Sequence, residues 1–480
     1  MGCAKWTICV AGVLLASGAA LGQTQASSEH VQTLKSGQAG RTDFWQNPDR
    51  AWLSEWYANR DKVVQANQGL PFDTTSILVM FTPNATAAQI ATALKTVGGR
   101  TIETWGLVPG LHHVAIVNQT VADALATIKA HGFAAGTITF AEPDFLGQIG
   151  STPNDTFYGL EWGLNNTGQT VNADPGSANA DIDADLAWDV TTGSTFVVGM
   201  CDSGIRKTHE DLAPNLWTNP GEIAGDRVDN DGNGLVDDTW GWDFWNNDNK
   251  PEDDNGHGSH TAGTVGAKGN NAKGVTGVCW NIKLAGLKIG SRTGSISVSA
   301  AIGALNYCTG KGIKLSNHSW GGGAFSSSMN TAITNARTAG HMLVCAAGNG
   351  GADGVGDNND TLPQYPAGYS QDNIISVAAI NNDNGLAGFS NFGATTVDIG
   401  APGVMIASCY KSSDTSYVYL DGTSMAAPHV TGVAALVWSV NPAWTYSEVR
   451  SKILSTAKPI ASLSGKCATG GCVNANNAVR

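Results

Sequence analysis

KLAGLKIGSRTGSISVSAAIGALNYCTGKGIKLSNHSW (283–320) begins with an apolar run, breaks at Gly and Ser, continues through an alanine-rich stretch and closes on a second apolar run. The middle piece, SVSAAIGALNYCTGKG (297–312), reads as a helix, and KLAGLKI (283–289) and KLSNHSW (314–320) read as strands. Unbroken apolar runs are what strands buried on both faces require, and a strand–helix–strand order makes those strands parallel. VVGMCDSG (197–204), MLVCAAGN (342–349) and IISVAAI (374–380) repeat the pattern. From about residue 151 to 480 the chain is therefore expected to be α/β, a doubly wound, mainly parallel sheet. Ligands and reactive groups in such sheets collect beyond the carboxyl ends of the strands. The polar residues at those ends are Asp202, Ser319 and Asn349.

The texture upstream is different. ILVMF (77–81) reads as a strand and TAAQIATALKTV (86–97) as a helix; strands near 99–105 and 113–117 follow, then a helix over TVADALATIKAHG (120–132) and a strand at TITFAEPDF (137–145). The order β-α-β-β-α-β predicts a small α+β, ferredoxin-like unit over 73–150. Residues 23–72 are polar and ill-defined, apart from FWQNPDRAWLSEWYANRDKVV (44–64), which has the pattern of an amphipathic helix. Residues 1–22 read as a secretory signal: Lys5, an apolar stretch from Ile8 to Leu15, and the small-residue site Ala20-Leu21-Gly22.

Composition narrows the function. The 40 acidic residues outnumber 27 Lys and Arg, for a net charge of -13, which argues against nucleic-acid binding. No apolar run approaches the roughly 18–20 residues of a membrane span, so a secreted, extracellular monomer without a membrane anchor is expected. Of nine cysteines, Cys3 and Cys9 would leave with the signal, and the odd remainder cannot all pair. Cys467 and Cys472 have the spacing of a small disulfide loop; the others sit in apolar stretches as buried hydrophobes.

Three segments carry chemistry. Asp202 ends a buried strand in CDSGI, His257 opens a helix among glycines in DNGHGSHTAGTV, and Ser424 begins an alanine-rich helix in DGTSMAAPHVTGVAALV. Taken singly each has a plainer reading: a turn aspartate, half of a metal site with His260, a helix N-cap. Taken together they supply a hydroxyl nucleophile, a base to take its proton and a carboxylate to fix the base's tautomer. Small neighbours, Gly256, Gly258 and Gly422, leave room for a peptide backbone, and a helix N-terminus under Ser424 aims N–H groups at a developing oxyanion. In the order Asp…His…Ser, these motifs resemble the subtilisin-like serine proteases (subtilases).

The resemblance implies an endopeptidase hydrolysing protein and peptide substrates, with Asp202, His257 and Ser424 as triad and Asn349 as side-chain oxyanion donor. It implies that Ser319, Trp320 and Gly321 pair with substrate backbone, and that Ala347 and Gly348 wall a roomy pocket of broad tolerance. His209, His260 and His429 read as structural.

Calcium is the expected cofactor. Asp229, Asp231, Asn233, Asp237 and Asp238 follow EF-hand spacing around Gly234, with Trp240 where the closing Glu would stand. Resemblance to thermitase-like members implies two further sites, one using Asp155, Asp211 and Asn271, the other Asp243 and Asp248. The 73–150 unit resembles the subtilisin propeptide, an intramolecular inhibitor and chaperone, which implies self-cleavage between Phe145 and Asn154. Two other readings stand beside this one. An esterase of the α/β-hydrolase type would place its histidine after the serine, whereas His257 precedes Ser424. A catalytically inert calcium-binding surface protein on the same scaffold would lack one of the four active-site residues.

Overall fold

The computed structural model describes residues 72–117, 119–132, 136–145 and 152–480, with Trp52, Trp56, Asn59 and Arg60 ahead of them. The signal segment, most of residues 23–72 and most of the 145–154 window lie outside the described residues. The chain forms two compact units that divide between Gln148 and Ile149.

In the first unit β1 (Phe72–Phe81), α1 (Ala87–Thr96), β2 (Arg100–Trp105), β3 (Val108–Ala115), α2 (Val121–Gly132) and β4 (Ile138–Phe145) follow in order. Thr86 opens α1 with a capping box shared with Gln89, which satisfies two otherwise orphaned amides. The sheet order is β2-β3-β1-β4, antiparallel throughout, with Ile77 opposite Val114 and Val79 opposite Ala141. Ile77, Val79, Val114, Ala124 and Ile128 are wholly buried between this sheet and its helices. The structure differs from the sequence reading at β3, which starts at Val108 rather than near 113. Pro109 and Gly110 look like turn residues, but Gly110 adopts φ +90°, and Trp105 pairs with Val108 across a tight hairpin.

The second unit is built on a nine-stranded sheet. Its elements are β5 (Gly193–Asp202), β6 (Gly241–Asp243), α3 (His257–Gly266), β7 (Asn281–Lys288), α4 (Val298–Gly310), β8 (Leu315–His318), α5 (Ser327–Thr338), β9 (Met342–Ala346), β10 (Ile374–Ile380), β11 (Ile399–Pro402), β12 (Ile406–Tyr410), β13 (Ser416–Leu420), α6 (Thr423–Val440), α7 (Tyr446–Ser455), β14 (Lys458–Pro459) and β15 (Gly471–Cys472). The order is β14-β15-β11-β10-β9-β8-β5-β7-β6, parallel except for the β14–β15 pair. The β12–β13 hairpin stands apart and leads directly into α6.

Period-two alternation sorts the strand side chains onto two cores. Met342, Val344 and Ala346 face α3, α6 and α7, while Leu343 and Cys345 face α4 and α5. Burying a Leu, Val or Met side chain contributes about 1.5–3 kcal/mol, and both faces of the sheet carry such residues, so a helical layer covers each. Helix α6 is mostly apolar and, but for Ser424, buried from Thr423 to Trp438, as a helix threaded through the core must be. Among the described residues no helix is long and apolar enough to cross a membrane.

Candidate active site

Strand β5 ends on Asp202, whose side chain is nearly inaccessible. Its Oδ1 accepts from the Ser203 amide at 2.7 Å and pairs with His257 Nδ1 at 2.8 Å, and its Oδ2 accepts from Thr261 Oγ1 at 3.1 Å. His257 is the first residue of α3, and its ring is 31% exposed, so the edge away from Asp202 is open to a reactant. Burial pulls the imidazole pKa down, but the charge and hydrogen bond of Asp202, with the charge of Asp253 added, hold it above its ordinary value.

Helix α3 must approach β5 closely for this pairing. Gly258 makes that possible: a Cβ there would lie 2.1 Å from the Gly204 carbonyl and 3.2 Å from Asp202 Cβ. Two residues absent from the sequence reading fasten the same junction. The Ser203 hydroxyl accepts from the Gly258 amide at 2.9 Å and donates to buried Asp253, also at 2.9 Å. Asp253 further takes the amides of Asn255, Gly256 and Ser259 and the Ser259 hydroxyl.

Ser424 lies in the first turn of α6. Pro428 has no N–H to give the Ser424 carbonyl four residues back, and the Ser319 hydroxyl fills that vacancy at 2.7 Å. The bond is reciprocated, for Ser424 Oγ donates to the Ser319 carbonyl at 2.9 Å. Among the described residues no hydrogen bond joins Ser424 to His257. Asn349, just beyond β9, accepts from both the amide and the hydroxyl of Thr423 at 2.8 Å through Oδ1, which fixes the direction of its amide nitrogen. At Gly422, with φ +152°, a Cβ would stand 3.4 Å from Asn349 Nδ2 and 3.5 Å from the Ser424 amide, so both donors border one small space. Trp320 and Gly321 continue beyond β8 outside the ladder, and Gly322 donates to the Tyr365 carbonyl at 3.0 Å. Ala347 and Gly348 continue β9 along the other side, Gly348 donating to Thr423 Oγ1 at 3.1 Å.

The histidines read as structural each have an internal partner: His209 Nε2 meets the Ser416 carbonyl at 3.0 Å. His260 Nε2 meets the Ile406 carbonyl at 2.9 Å and His429 Nδ1 the Met425 carbonyl at 2.8 Å, with burial pushing their pKa values down to about 3 and about 4. All seven described cysteines are buried and unbridged, Cys467 and Cys472 included.

Three acidic neighbourhoods match the expected cation ligands in different degrees. Asp155 takes the amides of Asn270 and Asn271, and Asp211 accepts from Asn271 Nδ2 at 2.8 Å, so these three converge. Burial raises the pKa values of Asp155 and Asp211, and burial raises that of nearby Glu161 well above its ordinary value, with both their charges adding. In the EF-like loop the carboxylates that converge are those of Glu222, Asp231 and Asp238, with oxygens within 4.8 Å of one another. Glu222 precedes the motif and carried no spacing signal. Asp229 and Asp237 turn their oxygens to backbone amides, Asn233 Oδ1 accepts from the Leu235 amide, and the Lys311 ammonium pairs with Asp231 and Asp238. Asp243 and Asp248 are joined through their backbones, and Asp243 Oδ1 takes the amides of Trp245 and Asn246.

Comparison with known proteins agrees with this fold. The model of the subtilase family matches residues 193–476. The chain is 33% identical over 405 residues to a thermophilic serine proteinase of Bacillus sp. (strain AK1), covering 84% of this chain and 86% of that one. It is 35% identical over 299 residues to thermitase of Thermoactinomyces vulgaris, covering 62% of this chain and 94% of thermitase. A solved protease structure from Pseudoalteromonas arctica superposes with a TM-score of 0.55 at 30% identity, over 68% of this chain and 99% of the other. On the match over 193–476 and the parallel sheet that carries it, the chain belongs to the subtilase family of subtilisin-like serine endopeptidases.

Proposed function

We propose that this subtilase is a secreted, self-processing endopeptidase of broad specificity that hydrolyses peptide bonds through Asp202, His257 and Ser424. The 2.8 Å bond from Asp202 to His257 Nδ1 carries the reading, because it leaves Nε2 as the free base. Ser424 would turn its hydroxyl from the Ser319 carbonyl to Nε2, surrender the proton and attack the scissile carbonyl. The imidazolium formed is stabilised by Asp202, and its proton then goes to the leaving amine. The tetrahedral oxyanion would enter the space bordered by Asn349 Nδ2 and the Ser424 amide, donors already oriented before reaction. Water repeats the sequence on the acyl-enzyme. Residues 319–321 would pair with the substrate backbone as an added strand, and the lack of bulk at Ala347 and Gly348 would admit varied residues before the bond.

The acidic neighbourhoods fit calcium, a hard cation with oxygen ligands. Burial, and at Glu161 the charges of its two neighbours as well, make Asp155, Asp211 and Glu161 costly to ionise, a cost that a bound cation would relieve. Asp155, Asp211 and Asn271 would hold one ion; Glu222, Asp231 and Asp238 a second, displacing the Lys311 ammonium; and Asp243 with Asp248 a third. Such ions would stabilise the fold by mass action and take no part in bond making. The 73–150 unit, with its ferredoxin-like order, is read as the inhibitory propeptide, and the protein as a monomer.

The test is expression of the full chain with calcium beside Ser424→Ala. Wild type should shorten to a new N-terminus near residue 150, take a fluorophosphonate label and cleave casein, while Ser424→Ala stays long and dark. Folded, intact and unlabelled wild type would instead favour the inert calcium-binding protein.

A further inference from the structure

We propose that Lys288 is a positioning residue for the triad, a buried ammonium that ties the strand end bearing Asp202 to the turn bearing His257. The inference rests on the triad reading above. Lys288 is the last residue of β7, in parallel register with Asp202, and its side chain is 1% exposed. Its Nζ donates to the Ser203 carbonyl at 2.7 Å and pairs with Asp254 Oδ1 at 2.5 Å. Taking an ammonium out of water is costly even when it is paired, and a buried ion pair often adds no more stability than apolar side chains of similar volume. What the buried ammonium does contribute is geometry: it holds two segments at fixed distances.

Its two partners say which geometry. Ser203 follows Asp202, and its amide donates to Asp202 Oδ1 while its hydroxyl accepts from the Gly258 amide beside His257. Asp254 stands three residues ahead of His257 in the turn whose next residue, Asn255, accepts the His257 amide at 3.2 Å. The ammonium thus bridges two segments that meet only in the folded protein. The Lys288 backbone extends the junction. The amide of the next residue, Ile289, donates to the Asp202 carbonyl at 2.8 Å, and the Lys288 carbonyl takes the amides of Phe244 and Trp245, next to Asp243. Without the ammonium, Asp254 (44% exposed) would turn to water and the Ser203 carbonyl would lose its donor. The turn could then drift, and a misplacement of about 1 Å at a reacting group can cost on the order of 100-fold in rate.

The experiment compares the wild-type full chain with Lys288→Met, Lys288→Arg and Asp254→Ala. Melting temperature, active sites titrated by fluorophosphonate, kcat, KM and the pH profile of kcat/KM are measured with calcium present. Asp202 and Asp253 face the imidazole, and His260 lies on the next turn of its helix. A loosened Asp202–His257 pair should therefore move the profile's midpoint to lower pH. Lys288→Met is expected to lower kcat per titrated site by roughly 10- to 100-fold with KM little changed. Lys288→Arg should recover part of that loss, and Asp254→Ala should reproduce it at smaller size. If Lys288→Met melts lower but keeps wild-type kcat and midpoint, Lys288 is a structural filler and the proposal fails. Should Lys288→Met not fold, Asp254→Ala decides: the same signature supports the proposal, wild-type behaviour overturns it. Failure of the triad reading looks different, because the wild type itself would then take no label.

Discussion

Gly258→Ala tests the close approach of α3 to β5. Alanine is the better helix former by about 1 kcal/mol, so helix propensity alone predicts a more stable enzyme. The packing predicts the opposite. The new methyl would lie 2.1 Å from the Gly204 carbonyl, where an ordinary contact needs a little over 3 Å, so helix or strand must retreat by roughly 1 Å. Overpacking of this kind costs ~1–3 kcal/mol. The retreat falls on the 2.8 Å bond between His257 and Asp202 and on the Ser203–Gly258 bond beside it. A shift of that size is expected to cost on the order of 100-fold in kcat, or about 2.7 kcal/mol in activation free energy. The assay is kcat and KM on a chromogenic peptide, per active site titrated with fluorophosphonate, with thermal melts of the same samples. A variant that melts higher than wild type and keeps its kcat would refute the reasoning, since helix and strand would then have slack that the packing denies.

Asn349→Leu should lower kcat by about 10²–10³, the cost typical of losing one oxyanion-hole donor, with KM little changed; equal kcat would remove Asn349 from the proposed oxyanion site. Because Asp202 holds the His257 pKa above its ordinary value, kcat/KM should rise with pH through a midpoint above that of free imidazole, and Asp202→Asn should move it down. The same raised pKa favours the folded protein below the unfolded-state value, and that contribution is lost as pH rises through the folded one. Asp155 and Asp211 have raised carboxyl pKa values without a cation, so their contribution is likewise present at low pH and lost as pH rises through the folded values. The gap in melting temperature between calcium-loaded and EDTA-treated protein should therefore widen from pH 4 toward pH 7, and Asp211→Asn should narrow it; a gap independent of pH would count against these ligands.

The parallel sheet could be read from sequence because its signal is local. Runs such as IISVAAI, buried at every position in β10, need no partner to be recognised. Asp202 and Asn349 were visible for the same reason, each standing at or just past the end of a run. Lys288 also ends a run, yet nothing local tells an exposed strand-end lysine from one enclosed by Ser203 and Asp254, which are 85 and 34 residues away. Ser203, Asp253 and Thr261 carry no local signal either, because a serine, an aspartate or a threonine gains its meaning from the neighbour it holds. In the acidic loop, spacing pointed to Asp229, Asn233 and Asp237, whose oxygens the loop's own geometry directs to backbone amides or claims for local turns. Glu222 joins Asp231 and Asp238 from outside the motif.

The reciprocal bonds between Ser319 and Ser424 hold the hydroxyl proposed as nucleophile on the segment proposed to pair with substrate. Its hydroxyl and the incoming peptide therefore compete for neighbouring backbone. A substrate long enough to lie along residues 319–321 disturbs the parking place as it docks, whereas a small electrophile that touches only Ser424 leaves it intact. The enzyme would idle with its safety on, so an extended peptidyl phosphonate should modify Ser424 faster than a compact one of equal intrinsic reactivity, by more than their difference in binding alone explains.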